Sequence, residues 1–421
     1  MAVLLKNARL MGESCMCVRV VEGIITEISA HLEPRAHEEV LDCESKALLP
    51  SAIDLGVFLH NLNRHTYIHL KAQARMGGVG SLMGVPLAPL YSLKEADMEP
   101  LEFVQEYSDT TFSPLDYGAA QEAIACGDII CLHPLDSHQR LQDLALLRAS
   151  LPTSIKACLY LYNLEGQKLL PVLDYACMLD FKLVCGVRGY EGRFSIGIMD
   201  ETPLAYTLGL PSVSPLIQIK EVGKVAALAL HTHLDVLLDS VVEPDAFKII
   251  AATRTLGAPL WVQTPLHHLI LDQDIYQHYD SRTKILPPLK DRAKQAYLRT
   301  LLAQEIDILT SLHYTHPLSL HIFEDAPFGM HSIDAFFSLA YTHLVKGRCI
   351  SLKRLVELIA TNPARFLGLN CGVVEVGKEA RLMLVDLEGK SQVDNPASIY
   401  HQQVLDARIE WIMQSGKVMR L

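Results

Sequence analysis

From Ala52 to Leu59 the chain reads Ala-Ile-Asp-Leu-Gly-Val-Phe-Leu, an almost unbroken apolar run that follows Leu48-Leu49-Pro50-Ser51 and stops at His60. A run of this length and texture is a strand covered on both faces, and it demands a sheet with layers above and below it. In an extended strand alternate side chains share a face, so positions 56 and 58 look into whatever the strand lines. A glycine and a phenylalanine stand there. Neither offers a lone pair to a metal ion nor a proton to a substrate.

The same texture recurs. Apolar runs at Ala52–Leu59, Val79–Val85, Asp128–His133, Ile155–Leu161, Phe181–Cys185, Asp235–Ser240, Pro259–Gln263 and Ile306–Ser311 make eight candidate strands separated by helical patterns. Repeated βα units imply a parallel sheet, and eight of them predict a (β/α)8 barrel over residues 51–369, with its working face at the strand C-termini. Two helices are clearest. Ile333, Phe336, Phe337, Ala340 and Leu344 share a face after Ser332, and Leu352, Leu355, Val356 and Ile359 share one after Ser351, with Asn362-Pro363 as the expected stop.

The ends are different. Val3–Leu5, Val18–Val21 and Ile24–Ile28, with a turn at Glu22-Gly23, are short strands, as are Arg381–Asp386, Ile409–Ile412 and Lys417–Met419, with a turn at Ser415-Gly416. Residues 1–50 and 370–421 are therefore expected to build one small β-sandwich from both termini. The fold class predicted is α/β, a TIM-type barrel with a composite β-sandwich.

Half of the 421 residues are hydrophobic, enough for a large core, and the net charge of −11 argues against nucleic acid or an anionic membrane as partner. The ten cysteines show no CxxC pair, which predicts reduced core thiols of a cytoplasmic protein. No apolar stretch is long enough for a membrane span, and the N-terminus lacks the pattern of a secretory signal.

Several blocks carry a family resemblance. The Leu48–His60 run resembles the first barrel strand of the cyclic amidohydrolases, the type I dihydroorotases in particular, with their signature LPGxIDxHxHL. Glu201–Pro211 is similar to their EGxxSxxLGLP, Thr264-Pro265 with His267-His268-Leu269 to TPHHL, Lys284–Leu289 to KxNPPL, and Ala326–Gly329 to APFG. Asn362–Arg365 and the Val373–Val385 run complete a match that extends over nearly the whole chain in order. The resemblance implies the barrel and sandwich, and a place in de novo pyrimidine biosynthesis.

It also implies a site that this sequence does not carry. The family holds zinc and moves a proton with two histidines from strand one, an aspartate after strand four, histidines from strands five and six, and an aspartate after strand eight. The matching positions are Gly56, Phe58, Tyr160 or Leu161, Gly186, Ser240 and Leu312. The substrate-holding arginine and asparagines become His60, Leu87 and Leu286. Without a cage of donors nothing lowers the pKa of the attacking water. The expectation is a catalytically inactive dihydroorotase-like chain with no cofactor. By the family's precedent it acts as a structural or regulatory partner of aspartate carbamoyltransferase in a homo- or hetero-oligomer. The alternatives are an active cyclic amidohydrolase with a rearranged zinc site, using His267, His313 and His316 with His60 and His133, and a metal-free sensor of a pathway intermediate.

Other residues favour bland readings. His231-Thr232-His233 is placed at a helix C-terminus on the bottom of the barrel. Ala326–Gly329 reads as a fixed loop rather than an anion site, Asp54 as a buried hydrogen-bonding group, and Cys15 and Cys17 as thiols on one core face of a strand.

Overall fold

The computed structural model describes residues 2–60, 62–86, 117–135, 141–151, 156–162, 169–179, 181–187, 197–315, 322–324 and 326–421. Leu87, Ile155 and His316 lie outside them. The chain divides into two compact units, Met1–Asp54 with His69–Leu82 and Ser332–Leu421, and Leu55–Ile68 with Met83–His331.

In the first unit, strands β1 (Ala2–Leu10), β2 (Ser14–Val21), β3 (Ile24–Ser29), β4 (Glu39–Asp42) and β5 (Ala47–Pro50) join three strands from the other end of the chain. Their sheet runs in the order Lys417–Arg420, Val404–Gln414, Leu382–Gln392, β5, β1, β2, β3, with β4 beside β1. Strand β5 pairs antiparallel with Leu382–Gln392, Pro50 opposite Leu382, so the two ends complete one sheet. Alternation sets its core: Val3, Leu5, Val18, Val20, Leu48, Leu382, Leu384, Trp411 and Met413 bury a single cluster. Both expected hairpin turns are present. Glu22-Gly23 and Ser415-Gly416 have positive φ at both central residues, the geometry that matches strand twist.

The parallel sheet is built from β6 (Ala52–Leu59), β7 (Val79–Pro86), β8 (Ile129–Leu132), β9 (Ala157–Leu161), β10 (Lys182–Gly186), β13 (Val236–Asp239), β14 (Leu260–Pro265) and β15 (Ile308–Thr310); β11 (Met199–Asp200) and β12 (Ser212–Val213) form a separate small pair. The sheet order runs from β6 to β15 in sequence order. A parallel bridge between Phe58 and Tyr314 brings its two ends together. Every residue of β6 is buried. All eight predicted runs contain a strand, because each is an apolar stretch that only a doubly covered sheet can bury. The remaining strands, β16 (Leu382–Gln392), β17 (Val404–Gln414) and β18 (Lys417–Arg420), close the terminal sheet.

Two helix expectations change. Ser332 makes no capping hydrogen bond, and the segment after it is a short 3-10 turn, Ile333–Ala335, followed by Phe336–Ala340 and a π-helical turn, Tyr341–Lys346. Ser351 does cap, accepting from the Arg354 N–H at 3.1 Å. Asn362-Pro363 is not a stop. The helix widens into a π turn at Glu357–Thr361 and resumes over Asn362–Leu367, ending at Gly368 with φ of 64°. Pro363 has no N–H to donate and its ring crowds the preceding turn, and the wider π turn accommodates both. Among the described residues no helix is long and apolar enough to cross a membrane.

Candidate functional site

The C-terminal ends of the barrel strands hold the positions singled out by sequence, and all the site geometry described next lies within Leu55–Ile68 and Met83–His331. Phe58 is fully buried and stacks on Tyr314, ring centroids 4.7 Å apart at 19°. Its N–H donates to the His313 carbonyl at 2.7 Å. His60 is exposed, with its N–H on Thr315 Oγ1 at 2.8 Å. Leu161 ends β9 and is buried.

Gly56 and Gly186 face filled space. A Cβ on Gly186 would come within 2.5 Å of the Tyr160 hydroxyl and 2.9 Å of the Tyr162 ring, and one on Gly56 would collide with Thr310 Oγ1 and lie 3.1 Å from Gln263 Nε2. Tyr160 does not stand free. Its hydroxyl donates to Asp239 Oδ2 at 2.9 Å, while Gln263 Nε2 and Ser240 Oγ donate to Asp239 Oδ1 at 2.8 and 2.9 Å. Ser240 and Leu312, each just past a strand end, are in the left-handed region with φ of 63° and 47°, an uncommon conformation outside glycine.

The histidines are dispersed among separate partners. His268 Nε2 lies 3.0 and 3.2 Å from the carbonyls of Pro287 and Pro288 and so carries the proton, and its Nδ1 is buried with no partner among the described residues. Burial pushes the His268 imidazole down to about 3 and the His267 imidazole down to about 4. His267 is hydrogen-bonded to the Ser311 backbone. His313 packs edge-on against His331, centroids 5.3 Å apart, and His133 Nδ1 lies 3.1 Å from the Leu135 carbonyl. Among the described residues, no three His, Cys, Asp or Glu side chains are placed to hold a metal ion together. A zinc ion does not fit the side chains described at these positions: Gly56 and Gly186 have no side chain, Phe58 is an aromatic ring, and the Asp239 carboxylate across from Gly186 accepts from three hydrogen-bond donors.

Other expectations resolve individually. His231 lies in the last turn of the helix Pro215–Thr232 and His233 follows it with φ of 56°, ahead of β13. The Ala326–Gly329 loop turns its groups inward: Gly329 N–H donates to the Lys284 carbonyl at 2.7 Å, and Lys284 Nζ donates to the Ala326 carbonyl at 2.6 Å while lying over the Phe328 ring. Of the paired thiols only Cys17 is buried. Cys15 is exposed, since it sits where the β1–β2 ladder ends. Burial pushes the Cys158 and Cys185 thiols up to about 12, which keeps them protonated and unreactive.

Sequence reasoning missed two buried polar groupings. One is Asp239 with its donors. The other is a buried square of charges: Lys290 Nζ binds Asp200 Oδ1 at 2.8 Å and the Glu243 carboxylate, and Lys294 Nζ binds Asp200 Oδ2 at 2.7 Å and Glu243 Oε2 at 3.3 Å. Burial disfavours the charged form of Asp200, but the two ammonium groups outweigh it and hold the carboxyl below the usual carboxylate range. The available signal was Asp239 at the end of an apolar strand, where an acid cannot be left without partners.

Comparison with known proteins gives the family and the fold. A "Probable dihydroorotase-like protein" of Helicobacter pylori (strain ATCC 700392 / 26695) is 30% identical over 419 residues, 99% of this chain and 97% of that protein. The chain belongs to the dihydroorotase-like proteins. The Amidohydrolase family pattern matches residues 322–419. A dihydroorotase of Geobacillus sp. (strain WCH70) is 24% identical over 94% of this chain and 91% of its own. The L-hydantoinase (dihydropyrimidinase) of Arthrobacter aurescens superposes with a TM-score of 0.76 at 17% identity, covering 99% of this chain and 96% of that one. The D-hydantoinase of Thermus sp. has the same TM-score at 18% identity, covering 99% of this chain and 94% of its own. This dihydroorotase-like chain thus shares the hydantoinase fold, an eight-stranded parallel barrel with a sheet from both termini.

Proposed function

We propose that this dihydroorotase-like chain is catalytically inactive and serves in the cytoplasm as a structural or regulatory partner of aspartate carbamoyltransferase in de novo pyrimidine biosynthesis. One observation carries the first half. The space beside Gly56 and Gly186 is taken by Thr310, Gln263 and the Tyr160 hydroxyl, and Phe58 fills its place with a stacked ring. A hydrolase of this class needs an ion that generates hydroxide and polarises the amide carbonyl, and Gly56, Phe58 and Gly186 supply no donor to hold one, with the space beside the two glycines filled. The second half is supported by the resemblance across the full length, which retains a folded scaffold where the chemistry has no visible seat.

The test is elemental analysis and a dihydroorotase assay on the same purified sample, with co-purification of the transferase from the source cells. The expected result is no bound zinc, no turnover of dihydroorotate and retention of the transferase, whose activity falls when this chain is deleted. Zinc held in stoichiometric amount together with turnover would return the chain to the enzymes. Full transferase activity in its absence would remove the partnership.

A further inference from the structure

The carboxylate of Asp239 sits at the end of β13 opposite Gly186, and both its oxygens are occupied by neutral donors from neighbouring strands. Tyr160 reaches it from β9 and Gln263 from β14, and Ser240 closes over it from the next residue. Asp239 and Gln263 are completely buried and Tyr160 is nearly so. The orientation of Gln263 is informative. Its amide nitrogen faces Asp239 while its amide oxygen is buried with no partner among the described residues. Leaving such an oxygen unsatisfied is costly, so the bond to Asp239 dictates which way the amide points.

We propose that this hydrogen-bonded clasp, and not only the lack of ligand side chains, closes the barrel to a divalent cation: with Tyr160 and Thr310 in place, histidines restored at positions 56, 58 and 186 do not make a zinc site. The inference rests on the reading above that these positions stand where related enzymes carry ligands. The physical reasons are two. A cation approaching Asp239 meets the hydrogens of Tyr160, Gln263 and Ser240, which point at the carboxylate and present positive charge. The volume that a side chain at 186 or 56 needs is already occupied by the Tyr160 hydroxyl, the Tyr162 ring, Thr310 and Gln263. Close-packed interiors do not yield such space without strain.

The experiment uses the full chain and zinc chloride as probe, reading metal content after dialysis and the shift in Tm on adding zinc. The combined Gly56→His, Phe58→His, Gly186→His variant is expected to retain no zinc and to show no zinc-dependent shift; one zinc per chain would overturn the clasp. Where that variant does not fold, a milder pair decides. Gly186→Ala is expected to lower Tm by several degrees in the natural background and by less than half as much in a Tyr160→Phe background, which lacks the colliding hydroxyl. Equal losses in both backgrounds would overturn the proposal. The unaltered protein separates the two claims. Bound zinc there overturns the inactive reading of the site, whereas a zinc-free natural protein whose three-histidine variant takes up zinc overturns only the clasp.

Discussion

The loops and strand ends that follow β10 and β13 bury two carboxylate groupings with opposite solutions. At Asp200 and Glu243 two lysines neutralise two acids. At Asp239 the donors in contact are a phenol, an amide and a hydroxyl. The first resembles an ionic cross-link and the second a neutral cage. The difference shows two ways of satisfying a buried carboxylate in one chain, with its own ammonium groups at Asp200 and Glu243 and with uncharged hydrogen-bond donors at Asp239. A buried ion pair is sensitive to loss of one partner, because the remaining charge is stranded, and a donor lost from Asp239 leaves a buried carboxylate oxygen with one hydrogen bond fewer.

That contrast can be broken first at Lys290, which is almost wholly buried. Lys290→Met is expected to cost about 3–5 kcal/mol in urea denaturation, the range for stranding a buried charge; Lys294→Met, with its more exposed ammonium, should cost clearly less. Equal small losses would mean that water already screens the cluster.

Protonation gives the next largest effect. His267 and His268 are held neutral by burial, with pKa values lowered to about 4 and about 3. The unfolded chain, near the ordinary 6.5, therefore binds more protons than the folded one as pH falls below neutrality. Stability is full above that value and declines toward acid, by about 2 kcal/mol per histidine between pH 7 and pH 5. Chemical denaturation across this range checks the slope, and His268→Gln should flatten it by roughly half.

Glycine substitutions sharpen the picture at smaller scale. Gly56→Ala places a methyl against Thr310 and Gln263 and is expected to destabilise by about 1–3 kcal/mol, the usual range for overpacking. Gly223→Ala, within the helix Pro215–Thr232 where nothing lies within 4 Å of the added carbon, should instead stabilise by about 0.5–1 kcal/mol. The opposite signs, read in parallel thermal melts, distinguish a glycine required by packing from one that is not.

Much of the architecture was legible in the chain itself. The Ala52–Leu59 strand has the bounds its apolar run predicts, and Glu22-Gly23 and Ser415-Gly416 turn where expected. These are local facts, encoded in the period of burial and in the few residues that tolerate positive φ. The helix after Ser351 was misjudged at Asn362-Pro363 because a π turn, which depends on packing along the whole segment, carries the chain past the proline. The site was legible only as an absence. Gly56 and Phe58 announce that no ligands stand there, but not what replaces them.

The sequence alone determined the eight parallel strands, the sheet shared by both ends and the absence of metal-binding side chains at positions 56, 58 and 186, since each follows from side-chain type and its period. Tertiary structure decided what fills the space beside Gly56 and Gly186. Tyr160 meets Asp239 from 79 residues away, and Lys290 meets Asp200 from 90. Such partners are chosen by the register of parallel strands and the shape of the closed barrel, and no local pattern in the chain records either.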